Sequence, residues 1–225
     1  MTIQGITEND ISNYLLNTPG FFERHAELLA SVQLTSPHGQ RAVSLQERQM
    51  EMLRERIKGL EHKIVEMIRN GQDNVAIADR LHQWTRAIML APEAGELPQV
   101  LLETLQRQFL IPQAALRLWG VAEAFAGHGF AQPVSDDAKS FATSLALPYC
   151  GANAGFEAAG WLAEAHTAQS VALVPLRRSA AESAFGLLVL GSPDPTRYSA
   201  DMGTEFLVRI GEIASAGLAR LLPPA

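Results

Sequence analysis

The most regular alternation of apolar and polar residues lies between Ser44 and Ile68. Apolar residues recur there at alternating spacings of three and four, which is the a/d seam of a heptad repeat rather than the broader stripe of a helix facing its own core. The pattern predicts one long helix, and Ser44 with Glu47 fits a capping box at its start. The seam is formed by Met50, Leu53, Ile57, Leu60, Ile64 and Met67.

This seam predicts association with a second copy of the chain. Ile57 falls at an a position and Leu60 at a d position, and β-branched residues at a with leucine at d favour a parallel two-stranded coil. Arg56 at g and Glu61 at e would then face each other across a homodimer. The alternative is an amphipathic helix packed on its own domain. The predicted dimer interface comprises Met50, Leu53, Arg56, Ile57, Leu60, Glu61, Ile64 and Met67.

The helix is predicted to continue to Leu90, because the residue that precedes Pro92 disfavours the helical region. Its seam decays at Gly71, where a glycine costs about 1 kcal/mol relative to alanine and marks a hinge or a close helix crossing. A helix of this length spans roughly 70 Å at 1.5 Å per residue. That exceeds any domain of this size, so we expect part of the helix to project or to pair.

A small helical arm precedes the long helix. Thr7 with Asp10 predicts a capped helix, Pro19-Gly20 ends it, and helical spacing resumes from Phe21 to Val32. Residues 33–43 form a linker. Such an arm is too small to bury much surface alone, so we expect it to dock on another element or on a partner chain.

The remainder of the chain predicts an α+β domain with a mainly antiparallel sheet, because its strands cluster between terminal helices. The loop between the two strongest strands suits a hairpin. The predicted helices are Leu97–Leu110, Ser135–Leu145, a short one at Phe156–Ala165, and Ser199–Leu222; the predicted strands are Ala115–Trp119, Ser170–Arg177 and Ala184–Leu190.

Composition narrows the classes of function. The 225 residues carry a net charge of −6, which argues against nucleic acid or an anionic membrane as the main partner. Cys150 is the only cysteine, so no intrachain disulfide is possible and a cytoplasmic location is expected. The first residues lack the pattern of a secretory signal. No apolar run reaches the length of a membrane span.

No recognised catalytic motif is present. The chain contains neither the P-loop pattern nor the G-x-S-x-G nucleophile elbow. Its six histidines include no H-x-x-x-H pair, so we predict no metal site. We therefore expect a protein that is not an enzyme.

Several sequence motifs resemble those of a known family. Gly186 to Leu207 resembles the end of a GAF domain, where a hairpin strand ends in G-S and a polar loop leads into the final helix. Three N-terminal segments are similar to motifs of the bacterial domain-of-unknown-function 484 family: Tyr14 to Leu29, Pro37 to Gly39 and Ala42 to Gln49. This family pairs a helical arm with a GAF-like domain. Together with the seam that decays at Gly71, this resemblance predicts domains at 1–43 (arm), 44–71 (coiled-coil helix) and 72–225 (GAF-like).

The resemblance also suggests where a ligand would bind. GAF domains bind small molecules between the sheet and a variable connection, here roughly Gly120 to Gln169, or serve as dimer modules without a ligand. The alternative for the aromatic residues is ordinary core packing, and the alternative for the cysteine is a small buried residue near a strand end. The candidate ligand-binding residues are Arg117, Trp119, His128, Tyr149, Cys150, Phe156 and Trp161.

These observations lead to two functional hypotheses. The first is a non-enzymatic regulatory or interaction protein, dimeric through a parallel coil, whose GAF-like domain senses an unknown small molecule; the cofactor, if any, is unknown. The second is a ligand-free structural scaffold, or an accessory factor for a DNA-recombination protein. Genes of the family often lie beside that of a tyrosine recombinase, which suggests such a protein as a partner.

Overall fold

The computed structural model describes residues 5–31, 45–179, 181–200 and 204–223. The predicted linker at 33–43 and the predicted cap at Ser44 lie outside these ranges. Contacts divide the chain into two compact units, residues 1–63 and 64–225, and the long helix contributes to both. The predicted domain boundaries after residues 43 and 71 stay a prediction.

The N-terminal arm contains three short helices, α1 (Glu8–Asn17), α2 (Phe21–Arg24) and α3 (Ala26–Ser31). The capping box predicted for α1 is confirmed. The Thr7 hydroxyl accepts from the Asp10 amide at 3.3 Å, and the Asp10 carboxylate accepts from the Thr7 amide at 2.8 Å. The Thr7 hydroxyl also donates to the Asp10 carboxylate at 2.6 Å, and this bond, together with that from the Thr7 amide, lowers the pKa of Asp10. Helix α1 buries none of its side chains.

Helix α4 (Leu45–Met89) is the long helix predicted from the seam. It runs through Gly71 without a break, and no atom of the described residues outside the adjoining backbone of α4 lies within 4 Å of a Cβ built there. No other described helix therefore crosses α4 closely at Gly71. Only the last turns of α4 are covered, where Trp84 and Ile88 enter the core of the domain.

A four-stranded antiparallel sheet forms the centre of the domain. The strands lie in the order β1-β4-β3-β2, so that β4 and β3 are central and β1 and β2 are edges. The predicted β3–β4 hairpin is confirmed, with Leu176 opposite Gly186. The strands are β1 (Gln113–Leu118), β2 (Tyr149–Ala152), β3 (Ser170–Leu176) and β4 (Gly186–Ser192).

Helices cover both faces of this sheet, and the fold class is α+β as predicted. The end of α4 together with α5 (Leu97–Phe109) and α7 (Glu205–Leu218) packs on one face. The other face is covered by two elements. One is the connection between β1 and β2, which contains α6 (Asp136–Ser144), and the other is the short 3₁₀ turn Glu157–Trp161 between β2 and β3. Further 3₁₀ turns are Ala94–Glu96, Glu123–Phe125, Gly129–Ala131, Ala165–Thr167 and Ala219–Leu221.

The structure differs from the sequence-based prediction in several elements. The helical segment expected from Phe21 onward is divided at His25 into α2 and α3. The short helix expected at Phe156–Ala165 is the 3₁₀ turn Glu157–Trp161, and the closing helix begins at Glu205 rather than Ser199. Strand β2 was not predicted, because four residues with a glycine among them carry no strand-like alternation. Within the described ranges, none of the helices has an apolar stretch sufficient to cross a lipid bilayer.

Candidate functional site

Three of the predicted ligand-binding residues, Arg117, His128 and Trp161, surround one cavity beside the edge strand β1. The cavity has a volume of about 500 Å³, within the usual range for small-molecule pockets. Helix α5 forms one wall, and the other is formed by the β1–β2 connection together with Trp161, which follows β2. The lining residues are Gly95, Pro98, Gln99, Leu102, Glu103, Gln106, Ala114, Ala115, Leu116, Arg117, His128, Gly129, Phe130 and Trp161.

Strand β1 places Arg117 on the face of the sheet that the connection covers. Its neighbours Leu116 and Leu118 point into the opposite core because side chains alternate along a strand. The Arg117 Nη1 donates to the Gly129 carbonyl at 2.7 Å, and its Cζ lies 5.9 Å from the centre of the Trp161 ring. This distance fits a cation–π contact. Among the described residues, no carboxylate lies within ion-pair distance of Arg117.

His128 is exposed at the rim of the same cavity. Its ring lies between those of Phe125 and Phe130, with centroid distances of 5.9 and 5.1 Å. A Cβ at Gly95 would lie 3.0 Å from the His128 Nε2. The absence of a side chain at Gly95 therefore lets the imidazole approach the turn before α5.

The other predicted residues lie away from this cavity. Trp119 donates its indole N–H to the Ala184 carbonyl at 2.7 Å and borders a shallow surface depression. Tyr149 and Phe156 pack edge to face at 5.1 Å, and Phe156 stacks on Phe141 at 5.5 Å. These rings belong to the apolar cluster that fills the connection face of the sheet.

Cys150 belongs to the opposite face. It follows Tyr149 on β2, and successive side chains of a strand point to opposite faces. Its thiol packs in the cluster between the sheet and the helices, with 8% of the residue exposed. Burial raises the pKa of this thiol, so its reactive thiolate form is disfavoured. Cys150 and Tyr149 therefore cannot line the same pocket.

Sequence reasoning missed the wall that α5 contributes. Gln99, Glu103 and Gln106 follow one another at helical spacing along its polar side, and Gln99 donates to Glu103 at 2.8 Å. This short polar stripe was the sequence signal for the wall, but the prediction for the helix used only its apolar face. A second cavity, of about 660 Å³, lies near Arg177 and Arg178 at the end of β3. The described residues contain no cluster of three or more potential metal ligands.

The predicted dimer residues form a continuous exposed stripe on α4. Each of the six apolar seam residues from Met50 to Met67 is between 53% and 72% exposed. Arg56 and Glu61 are also exposed and form no ion pair within the described residues. The stripe ends before Leu81, where the helix begins to pack on its own domain.

The comparisons identify the family. The model of DUF484, a family of proteins of unknown function, matches residues 1–223. The chain belongs to this family, as its N-terminal motifs predicted. No curated protein matches the chain.

Among solved structures, the chain is similar to the crystal structure of the GAF domain of a protein described as a sensor histidine kinase from Pseudomonas syringae pv. tomato. The two share 20% sequence identity with a TM-score of 0.45. The match covers 68% of this chain and 92% of the other.

Proposed function

We propose that the protein is a non-enzymatic regulatory or interaction module that forms a homodimer through a parallel coiled coil along α4 and senses a small molecule with its α+β domain. The exposed seam from Met50 to Met67 carries this proposal. Large contiguous apolar surfaces on a water-exposed element mark interaction sites, and a heptad seam is complementary to a second copy of itself.

The charges beside the seam favour the parallel orientation. In a parallel pair, Arg56 faces Glu61 of the other copy twice, once on each side. An antiparallel pair that keeps all the apolar layers would bring Arg54 opposite Glu61, but it would also bring Arg56 opposite Lys63. Each such contact is worth only about 0.2–1 kcal/mol at the surface. The parallel arrangement gains the attraction without the matching repulsion.

The molar mass in solution tests dimerisation. Size-exclusion chromatography with light scattering is expected to give twice the 24.4 kDa of one chain. Replacing Leu53 and Leu60 by aspartate buries charges at two d positions and is expected to yield the monomer. Met52→Asp with His62→Asp adds two aspartates to the same turns outside the seam and serves as the matched control. A Leu53→Asp/Leu60→Asp variant that keeps the dimer mass would contradict the proposal.

A ligand-free scaffold is the second candidate, and the packing of the sheet favours it. On the face covered by the connection, Val171, Leu173, Leu187 and Val189 are fully buried against other side chains. Native mass spectrometry of the purified protein distinguishes the two candidates. A co-purified small molecule supports sensing, whereas a mass of two chains alone supports the scaffold.

A further inference from the structure

We infer that the cavity beside β1 binds a small organic monoanion in which a carboxylate adjoins a flat apolar group. This inference deepens the sensing part of the proposed function and rests on it. It assigns the site to the edge of the sheet, at Arg117, Trp161 and His128, rather than to the filled space under the connection.

The charge of Arg117 calls for an anionic ligand. The residue is partly buried, and the only hydrogen bond that its guanidinium makes within the described residues goes to the Gly129 carbonyl. A guanidinium has five N–H donors in a planar fork that fits a carboxylate through two parallel hydrogen bonds. The other N–H groups of Arg117 are not buried, so they can donate to a molecule in the cavity. A carboxylate there matches both the charge and the planar fork.

The indole of Trp161 provides a second available donor. The chain has three tryptophans, and the indole N–H groups of Trp84 and Trp119 donate to the carbonyls of Leu101 and Ala184. Trp161 has no protein acceptor for its indole N–H in the part of the chain that the structure describes. This N–H is not buried, so it can donate to a ligand oxygen in place of water.

The remaining walls determine the rest of the ligand. Leu102 and Phe130 present apolar surface in the same cavity, which favours an aromatic or otherwise flat hydrocarbon group. Glu103 is the only acidic residue in the lining. Its negative charge disfavours a phosphate or another dianion, because like charges at short range repel. A monocarboxylate carries the smallest charge that still pairs with Arg117.

Two probes of the same shape test this assignment in the intact dimer. 3-Phenylpropionate carries the carboxylate, and 3-phenylpropionamide is its neutral counterpart. Ligand efficiency sets the expected Kd of so small a molecule at about a millimolar. In ¹⁵N spectra, the acid is expected to shift the indole signal of Trp161, assigned with Trp161→Phe, and to leave those of Trp84 and Trp119 unchanged. The amide is expected to bind about 10- to 100-fold more weakly, the range of a charge-assisted hydrogen bond.

Variants of two arginines complete the test. Arg117→Gln is expected to weaken binding of the acid about 10- to 100-fold and to leave the amide unaffected. Arg178→Gln is the matched control, since Arg178 is exposed and bonded to the Pro223 carbonyl beside the other cavity. Absence of acid binding, equal binding of acid and amide, or a shift at Trp119 instead of Trp161 would overturn the inference. The first two results need only the wild-type protein, so they stand even if Arg117→Gln fails to fold. Light scattering on the same samples reports dimerisation separately.

Discussion

Trp84 fixes the end of the long helix to the domain, and its removal has a calculable effect. The side chain is fully buried, and its Nε1 donates to the Leu101 carbonyl at 3.0 Å. An aromatic side chain buries roughly 150–250 Å², which at about 25 cal/mol per Å² is worth about 4–6 kcal/mol. Measured losses for tryptophan-to-alanine changes in cores are about 3–5 kcal/mol. We therefore expect Trp84→Ala to lower the free energy of unfolding of the domain by about 4 kcal/mol.

Urea titration at one fixed protein concentration measures this loss, because the stability of a dimer depends on concentration. The fluorescence of Trp119 and Trp161, which remain in the variant, follows the domain. With an m-value of about 2 kcal/mol per molar urea, the midpoint is expected to fall by roughly 2 M. Val75→Ala on the same helix is the control, since Val75 is 63% exposed and its loss changes stability by less than about 0.5 kcal/mol.

A much smaller loss of stability in Trp84→Ala would contradict the burial of the indole. A fall of the Trp84→Ala midpoint by less than roughly 0.5 M corresponds to about 1 kcal/mol. Such a value would mean that the indole is not enclosed between α4 and α5. Trp84→Phe keeps most of the buried area and loses the hydrogen bond, so it is expected to cost about 1–2 kcal/mol.

Three further predictions concern four positions. Gly71→Ala is expected to stabilise the protein by up to about 1 kcal/mol, because the site is open and helical. Gly186→Ala is expected to destabilise it by about 1–3 kcal/mol, because the new Cβ would lie 2.9 Å from the Arg117 carbonyl oxygen. Shifts of the denaturant midpoint in opposite directions from the wild type check the pair. Burial raises the pKa of the Cys150 thiol, so its contribution to stability is present while the unfolded thiol is neutral and is lost as pH rises through the pKa of the folded thiol. Thermal melting at alkaline pH measures this loss, and a Cys150→Ala variant with an unchanged alkaline melting profile would refute it. Arg177 donates to the last carbonyls of α6, and Arg177→Leu is expected to cost about 2 kcal/mol, measured by thermal denaturation.

The sequence predicted most of the fold because its strongest patterns are also the most buried elements. Strands β3 and β4 appear as continuous apolar runs, and they are the two central strands, covered on both faces. Strand β2 lacks such a run. A Cβ at its Gly151 would lie 2.5 Å from the Tyr149 hydroxyl, so the glycine leaves room for the tyrosine side chain along the strand. This contact is a tertiary fact that single-sequence patterns do not contain.

The sequence predicted which residues could form the candidate site, but not where in the fold each of them lies. Arg117, His128 and Trp161 stand out as polar or aromatic residues in and around the variable connection, and the structure brings them together. Cys150 could not be assigned to a face, because alternation gives no face until a strand is recognised. The contribution of α5 depends on how the helix packs beside the edge strand, which its own amphipathic pattern does not determine.

A cysteine placed at residue 60 tests the central proposal most directly. In a parallel coil, a d residue faces the same residue of the other copy, so Leu60→Cys in a Cys150→Ala background is expected to form an intermolecular disulfide under mild oxidation. Non-reducing electrophoresis should then show a covalent dimer of twice the chain mass, and Glu55→Cys on the outer side of the helix should stay monomeric. A monomer with Leu60→Cys, or a cross-link that forms only when Leu60→Cys is mixed with Ile57→Cys, would contradict a parallel dimer through the α4 seam.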